Sequence, residues 1–131
     1  MRKLLLFALA GILLTGVAAY AHHSYAATYD TGKEVKLNGK LIQFVFRNPH
    51  SYVTISAPDA KGAVQRWSVE WAGTAQLSNR GITQESLKVG DAIVIVGRPS
   101  RVPGELRVLM VNLTRPSDGF SWGTRSGEIV D

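Results

Sequence analysis

The chain of 131 residues contains no cysteine. It can therefore form no disulfide bond, and it offers no thiolate to a metal ion. A lipid anchor on an N-terminal cysteine is also excluded. An exported protein without disulfide bonds must be stabilised by its hydrophobic core or by a bound partner.

The sequence also lacks a strong charge of one sign. Two of its 15 basic residues precede the apolar run LLLFALAGILL, and the other 13, against 10 acidic residues, leave a net charge of +3. A protein that binds DNA or RNA usually carries a much more basic surface, so we expect no nucleic-acid partner. The stretch GRPSRVPG has neither the glycine pattern nor the Lys-Ser/Thr pair of a phosphate-binding loop.

The N-terminal apolar run is short, and small residues follow it. A basic start, a short apolar run and an Ala-x-Ala pattern are typical of a cleaved signal peptide. A spanning helix needs about 17–25 apolar residues, and this run is at the short end of that range. We expect cleavage after Ala21, with Ala19 and Tyr20 as alternative sites. The sequence thus predicts a periplasmic protein that has no membrane contact once the signal peptide is removed.

Alternating apolar residues predict five short strands, in the stretches KEVKLNGKLIQFVF, SYVTISAP, AVQRWSVEWAG, AIVIVGRP and ELRVLMVNLT. The first stretch changes phase near Gly39-Lys40, as a β-bulge would make it do. The stretch TAQLSNRG predicts a short helix between strands 3 and 4. This order indicates an all-β fold, a small five-stranded OB-like Greek-key barrel. A β-sandwich, the alternative, usually has about seven strands.

The predicted organisation has four parts. A signal peptide over 1–21 precedes an N-terminal arm over 22–32, and the OB-like β-barrel domain covers 33–114. Residues 115–131 are rich in glycine and serine and show no periodicity, so we expect a loose C-terminal tail.

The three histidines of the chain are His22, His23 and His50. Singly, each is more typical of a solvated side chain. Cleavage after Ala21 would give His22 a free α-amine, which can chelate a metal ion together with its own Nδ1. A third nitrogen from His50 or His23 would complete a set of donors that suits Cu(II). Cleavage after Tyr20 would place a histidine third, which also suits Cu(II) or Ni(II). Zinc is less favoured, because no cysteine or closely spaced carboxylate is available.

Aromatic residues of the second and third strands suggest a different site. Tyr52, Trp67 and Trp71 could form a stacking face for a ligand, although tryptophans of a small barrel are more often core residues. Arg47 and Asn48, next to the first turn, could bind an anion. Glu70 is better explained as an exterior charge than as a buried acid.

The motifs AHHSYAATYD and VKLNGKLIQFVFRNPHSYVTI, followed by a Gly-Asp turn before strand 4, carry a resemblance. The chain resembles a family of small exported bacterial proteins with a domain of unknown function, over about residues 21–114. The resemblance implies a small periplasmic barrel. Its motif residues here are His22, His23, Ser24, Asn48, Pro49 and His50.

Three functions remain, in order of preference. The first is a periplasmic protein that binds copper through His22, His23 and His50. The second is a metal-free barrel that binds a ligand or another periplasmic protein through its aromatic face. The third, a copper redox enzyme, has no further assignable catalytic group, so we expect a binding protein and no enzyme.

Overall fold

The structure is a computed structural model and describes residues 25–124. Its strands are β1 (Val35–Val45), β2 (Tyr52–Pro58), β3 (Val64–Glu70), β4 (Ala92–Pro99), β5 (Arg107–Arg115) and β6 (Phe120–Gly123). A helix, α1 (Thr74–Ser78), and a 3-10 turn (Gln84–Ser86) lie between β3 and β4. The predicted signal peptide, His22, His23 and residues 125–131 lie outside the described part of the chain.

The sheet closes into a barrel. Its strand order is β3-β2-β1-β4-β5-β6, and an additional pairing joins β3 to β5. That pairing is parallel and sets Ser68 opposite Arg107 and Glu70 opposite Leu109. A five-stranded barrel closed in this way, with a short helix between strands 3 and 4, is OB-like. The predicted fold class is confirmed.

The long first strand, β1, pairs with two different strands of the barrel. Residues 35–40 pair with β4 and residues 40–45 pair with β2, with a shift of register between Leu41 and Gln43. The bulge therefore lies about two residues beyond the predicted position at Gly39-Lys40. A Cβ at Gly39 would lie 2.3 Å from the carbonyl oxygen of Ser56. Glycine is needed there because the two backbones approach too closely for any side chain.

Alternation along the strands fills the barrel with apolar side chains. Val53, Ile55 and Val69 are fully buried, as is Ile95 from the opposite wall. Burying one such side chain contributes roughly 1.5–3 kcal/mol. The segment between β3 and β4 closes one end of this core through its own buried residues, which are Leu77, Ile82 and Leu87.

The C-terminal segment differs from the prediction. Residues 120–123 form β6, which pairs antiparallel with β5 instead of forming a loose tail. Trp122 of this strand is only 3% exposed and packs edge-on against Trp71, with ring centroids 5.2 Å apart. Within the Gly/Ser-rich sequence, Phe120 and Trp122 alternate as in a strand, and both pack against the core.

The described part of the predicted arm packs on the barrel. Residues 25–28 are helical, and Tyr29 forms an isolated bridge with Ser100. The backbone amide of Asp30 donates to the carbonyl of Pro99 at 2.9 Å. Tyr29 is 1% exposed, so its ring belongs to the core. Over residues 25–124, no helix is both long and apolar enough to cross a membrane.

Candidate functional site

The candidate site is centred on Glu70, the last residue of β3. Glu70 is only 4% exposed. Its Oε2 accepts hydrogen bonds from the hydroxyl of Tyr29 and from an Nη of Arg107, the latter at 2.6 Å. Its Oε1 lies 2.6 Å from Nδ1 of His50. Parallel pairing of β3 with β5 brings Arg107 to this carboxylate, and the arm supplies Tyr29.

The turn between β1 and β2 positions His50. Its Asn48-Pro49 peptide bond is cis. The side-chain oxygen of Asn48 accepts from the backbone amide of Thr74 at 3.0 Å and from its hydroxyl at 2.9 Å, which ties the turn to the start of α1. The amide of Ser51 donates to the carbonyl of Ala72 at 3.0 Å. These bonds hold His50 against the end of β3.

Tyr25 completes the cluster from the arm. Its hydroxyl lies 2.6 Å from Nε2 of His50, and the two ring centroids are 5.4 Å apart. His50 therefore lies between two partners, with Glu70 at Nδ1 and Tyr25 at Nε2. Its side chain is 26% exposed, so the cluster reaches the surface at this end of the barrel. The arm and the His50 turn meet at the same place, as a site shared between them requires.

The charges of the cluster support one another. Burial alone would raise the pKa of Glu70, but hydrogen bonds from Tyr29 and Arg107, with the charge of Arg107, outweigh it and hold the pKa below its usual range. Burial and the adjacent Glu70 raise the pKa of Tyr29. Burial would lower the pKa of Arg107, yet its bond to Glu70 raises it. At neutral pH the cluster thus contains a carboxylate, a guanidinium and a neutral phenol.

The ionised carboxylate determines the roles of the imidazole nitrogens. A carboxylate only accepts hydrogen bonds, so Nδ1 of His50 is the donor in the contact with Glu70. In the neutral ring Nε2 then carries the lone pair, and the hydroxyl of Tyr25 lies 2.6 Å from Nε2 and 3.3 Å from Nδ1. Histidines that bind metal ions commonly donate their second ring nitrogen to a carboxylate in the same manner. The arrangement can therefore hold a metal ion at Nε2 or hold the arm on the barrel.

The three residues of the predicted aromatic face differ in burial. Trp71 is fully buried, and Trp67 is half-buried with its indole N–H donating to the carbonyl of Ala57 at 3.2 Å. Tyr52 is half-buried, and the guanidinium carbon of the exposed Arg47 lies 5.3 Å from its ring centroid. The structure leaves Tyr52 and Trp67 partly accessible and places Trp71 in the core.

Four residues of the cluster, Glu70, Tyr29, Arg107 and Tyr25, do not follow from the sequence prediction. The sequence predicts Glu70 to be an exterior charge, and this prediction is wrong. The side chain is buried because the end of β3 is covered by the arm and lies beside β5. The structure buries Val69, Glu70, Trp71 and Ala72 in succession, because a strand end covered on both faces loses its alternation of exposure. Tyr29 and Arg107 give no signal in the sequence, because only the tertiary fold brings them to Glu70.

Within residues 25–124, no group of three or more His, Cys, Asp or Glu side chains is placed to hold a metal ion. His50 is the predicted metal ligand that the structure describes, and it lies in the cluster. His22 and His23 fall outside the described residues.

A second charged group lies away from this cluster. An open groove of about 480 Å³ is lined in part by Lys88, Asp91, Arg115 and Asp118. The guanidinium of Arg115 donates to Asp91 at 2.7 Å, to Asp118 at 2.8 Å and to the carbonyl of Ser86 at 2.9 Å. Asp91 and Asp118 are therefore already engaged by Arg115.

Comparison with known proteins identifies a family and a protein of similar structure. The sequence profile of a family described as "Family of unknown function (DUF6152)" matches residues 10–106. No curated protein has a sequence that matches this chain. The chain is similar in structure to a mitochondrial single-stranded DNA-binding protein of S. cerevisiae, with a TM-score of 0.44 and 11% sequence identity. That similarity covers 63% of this chain and 92% of the other.

Proposed function

We propose that this chain, which belongs to the family of unknown function, is a small periplasmic protein that binds one copper ion. The proposal is argued from the chain's own side chains. The ion is held by the histidines of the mature N-terminus, His22 and His23, together with His50. The observation that carries this proposal is the geometry of His50. Its Nδ1 is engaged by a buried carboxylate, and its Nε2 lies 2.6 Å from the hydroxyl of Tyr25 in the arm.

Chain connectivity supports a shared site. Tyr25 follows His23 by two residues. Only two virtual bonds of about 3.8 Å each, between consecutive Cα atoms, separate these two residues along the chain. The side chain of Tyr25 already touches His50. Little extra reach is needed for an imidazole of the terminus and that of His50 to bind the same ion.

The types of donor favour copper. Cleavage after Ala21 gives His22 an α-amine beside its own imidazole, and these two nitrogens form a chelate. His50 adds a third nitrogen from a fixed position on the barrel. Nitrogen ligands bind Cu(II) more tightly than the other divalent first-row ions, and Cu(II) accepts a planar arrangement of few donors.

The metal-free alternative is less well supported. A ligand face built from Tyr52, Trp67 and Trp71 would lose its largest member, because Trp71 is fully buried. The indole N–H of Trp67 is already bonded to the barrel backbone. A partner bound through aromatic stacking would have to use Tyr52, Arg47 and the exposed part of Trp67.

The proposal is tested on exported protein whose mature N-terminus has been confirmed by intact mass and N-terminal sequencing. Cu(II) affinity is measured for the wild type, for His50→Ala, and for a form with one alanine added before His22. We expect one ion per chain in the wild type. Loss of His50 should weaken binding by about 10–100-fold, by analogy with the loss of a ligand's support. The added alanine should weaken binding more, because it breaks the amine–imidazole chelate.

A matched control is Lys33→Ala, which alters an exposed residue just after the arm and should leave the affinity unchanged. If His50→Ala binds copper as tightly as the wild type, the barrel supplies no ligand. If the extended form binds as tightly, the α-amine is no ligand. If the wild type binds no copper, the metal proposal fails and the aromatic face becomes the better candidate.

A further inference from the structure

We propose that the outer side of β2 and β3, with the adjoining part of β1, binds an acidic oligosaccharide. Two rows of side chains make up this surface, which we call the basic outer face. In the first row Lys40 of β1 lies opposite Ser56 of β2, which lies opposite Arg66 of β3. The second row pairs Thr54 of β2 with Ser68 of β3. The site does not involve copper.

The strand register shows that these side chains point away from the core. Successive residues of a strand alternate between the two faces of a sheet, and residues directly opposite each other share a face. Val53 and Ile55 are fully buried, so Thr54 and Ser56 lie on the outer face. Trp67 lies opposite Ile55 and therefore belongs to the inner face. The outer face is thus polar.

Lys40 and Arg66 give the basic outer face an uncompensated positive charge. Both are exposed, on either side of Ser56. In the part of the chain that the structure describes, neither of them takes part in an ion pair. Glu70 comes later on β3, but Arg107 already engages its carboxylate. The face therefore attracts an anion.

Hydroxyl groups occupy the space between the two cations. Thr54, Ser56 and Ser68 are half-buried, and over residues 25–124 no hydrogen bond engages their hydroxyls. Each hydroxyl can donate one hydrogen bond and accept two. Neighbouring strands are about 4.8 Å apart, so the Cα atoms of Lys40 and Arg66 are separated by about 10 Å. A short sugar chain that carries carboxylates matches both the cations and the hydroxyls.

Other classes of partner match this face less well. Single-stranded nucleic acid binds largely by stacking its bases on aromatic rings. Here Trp67 faces inward, and the guanidinium carbon of Arg47 lies 5.3 Å from the ring centroid of Tyr52. Protein interfaces are usually anchored by aromatic or other apolar side chains. The basic outer face has no such side chain, so its groups favour the saccharide.

The test is an NMR titration of the isotope-labelled mature protein, freed of metal by a chelator, with a trimer of galacturonic acid. We expect the amide signals of Thr54, Ser56 and Ser68 to shift on binding. The fully methyl-esterified trimer has the same ring hydroxyls but no charge, and it should not bind. Added salt should weaken the binding of the acid, because exposed charges are screened.

Substitutions then assign the cations. Lys40→Gln and Arg66→Gln should each weaken binding of the acidic trimer by about 2–5-fold, as expected for an exposed charge pair. Thr54→Val removes a hydroxyl with little change of shape and should weaken binding as well. The matched control is Lys36→Gln, the same change of charge at an exposed residue roughly 13 Å away along β1, which should leave the affinity unchanged.

The outcomes decide the proposal without reference to copper. Equal binding of the methyl ester overturns the role of the cations. A glutamate peptide or an oligothymidylate of the same charge that binds as tightly overturns the assignment to a saccharide. No binding of the acidic trimer, or shifts confined to other strands, overturns the site itself. The wild-type titrations give these answers, so the test does not depend on the folding of a variant.

Discussion

Replacing Glu70 by glutamine tests whether the cluster that orients His50 also stabilises the fold. The carboxylate accepts from three donors, on Tyr29, His50 and Arg107. Glutamine has nearly the same shape, but one of its two terminal atoms is an NH₂ group, which donates. If the NH₂ group takes the place of Oε2, it faces the donors of Tyr29 and Arg107; if it takes the place of Oε1, Nδ1 of His50 must change from donor to acceptor. In either orientation Arg107 loses its counter-charge.

The size of the effect follows from burial. Removing one partner of a fully buried ion pair costs about 3–5 kcal/mol. Here the side chain of Glu70 is 6% exposed and that of Arg107 is 34% exposed, so water can partly replace the lost partner of Arg107. We therefore expect a loss of about 2–3 kcal/mol in the free energy of unfolding. In a domain of this size that corresponds to roughly 10–20 °C in the unfolding midpoint.

The measurement is urea and thermal unfolding of the wild type, Glu70→Gln and the exposed control Glu34→Gln, at neutral and at acidic pH. The control should lie within about 0.5 kcal/mol of the wild type. The folded pKa of Glu70 is lowered, so its charge stabilises the fold above the unfolded pKa, and this contribution is lost as pH falls through the folded pKa. The difference between wild type and Glu70→Gln should therefore be full at pH 7 and shrink below about pH 4. A variant as stable as the wild type at pH 7 would refute the argument.

Three further substitutions probe separate parts of the fold by the same unfolding assay. Gly39→Ala should destabilise the barrel by about 1–3 kcal/mol, the usual effect of overpacking, because the new Cβ meets the carbonyl oxygen of Ser56. If this variant is as stable as the wild type, the two strands can move apart at that position. Trp122→Ala should cost about 3–5 kcal/mol if β6 is an integral strand, and less than about 1 kcal/mol if the segment is a loose tail. Tyr29→Phe should cost about 1–3 kcal/mol, because Glu70 loses one buried donor while the ring packing stays; no change would mean that this hydroxyl contributes nothing.

The barrel could be predicted from the sequence because each strand carries its own alternation of apolar residues. The helix before β4 could be predicted because Gly81 ends it in a left-handed conformation, with φ of 76°. The predicted bulge lies about two residues before the observed one. The change of phase is visible in the sequence, but the exact residue that loses its partner depends on the register with β2.

The candidate site could be predicted only in part. His50 follows from the sequence as a histidine beside a turn-forming proline. The burial of Glu70 depends on the parallel pairing of β3 with β5 and on the arm, and both contacts join segments distant in the chain. Tyr25 gave no signal of its own, since its role appears only when the arm meets the turn that carries His50.

The central claim is that copper joins the mature N-terminus to the barrel through His50. The most direct test is the unfolding midpoint of the mature protein with and without one equivalent of Cu(II). A ligand stabilises a fold only if it binds the folded chain more tightly than the unfolded one. An N-terminal chelate by itself is present in both states, whereas a site completed by His50 exists only in the folded barrel. The account predicts that copper raises the midpoint of the wild type and leaves that of His50→Ala unchanged. Tight binding of copper with no shift in the wild-type midpoint would contradict it.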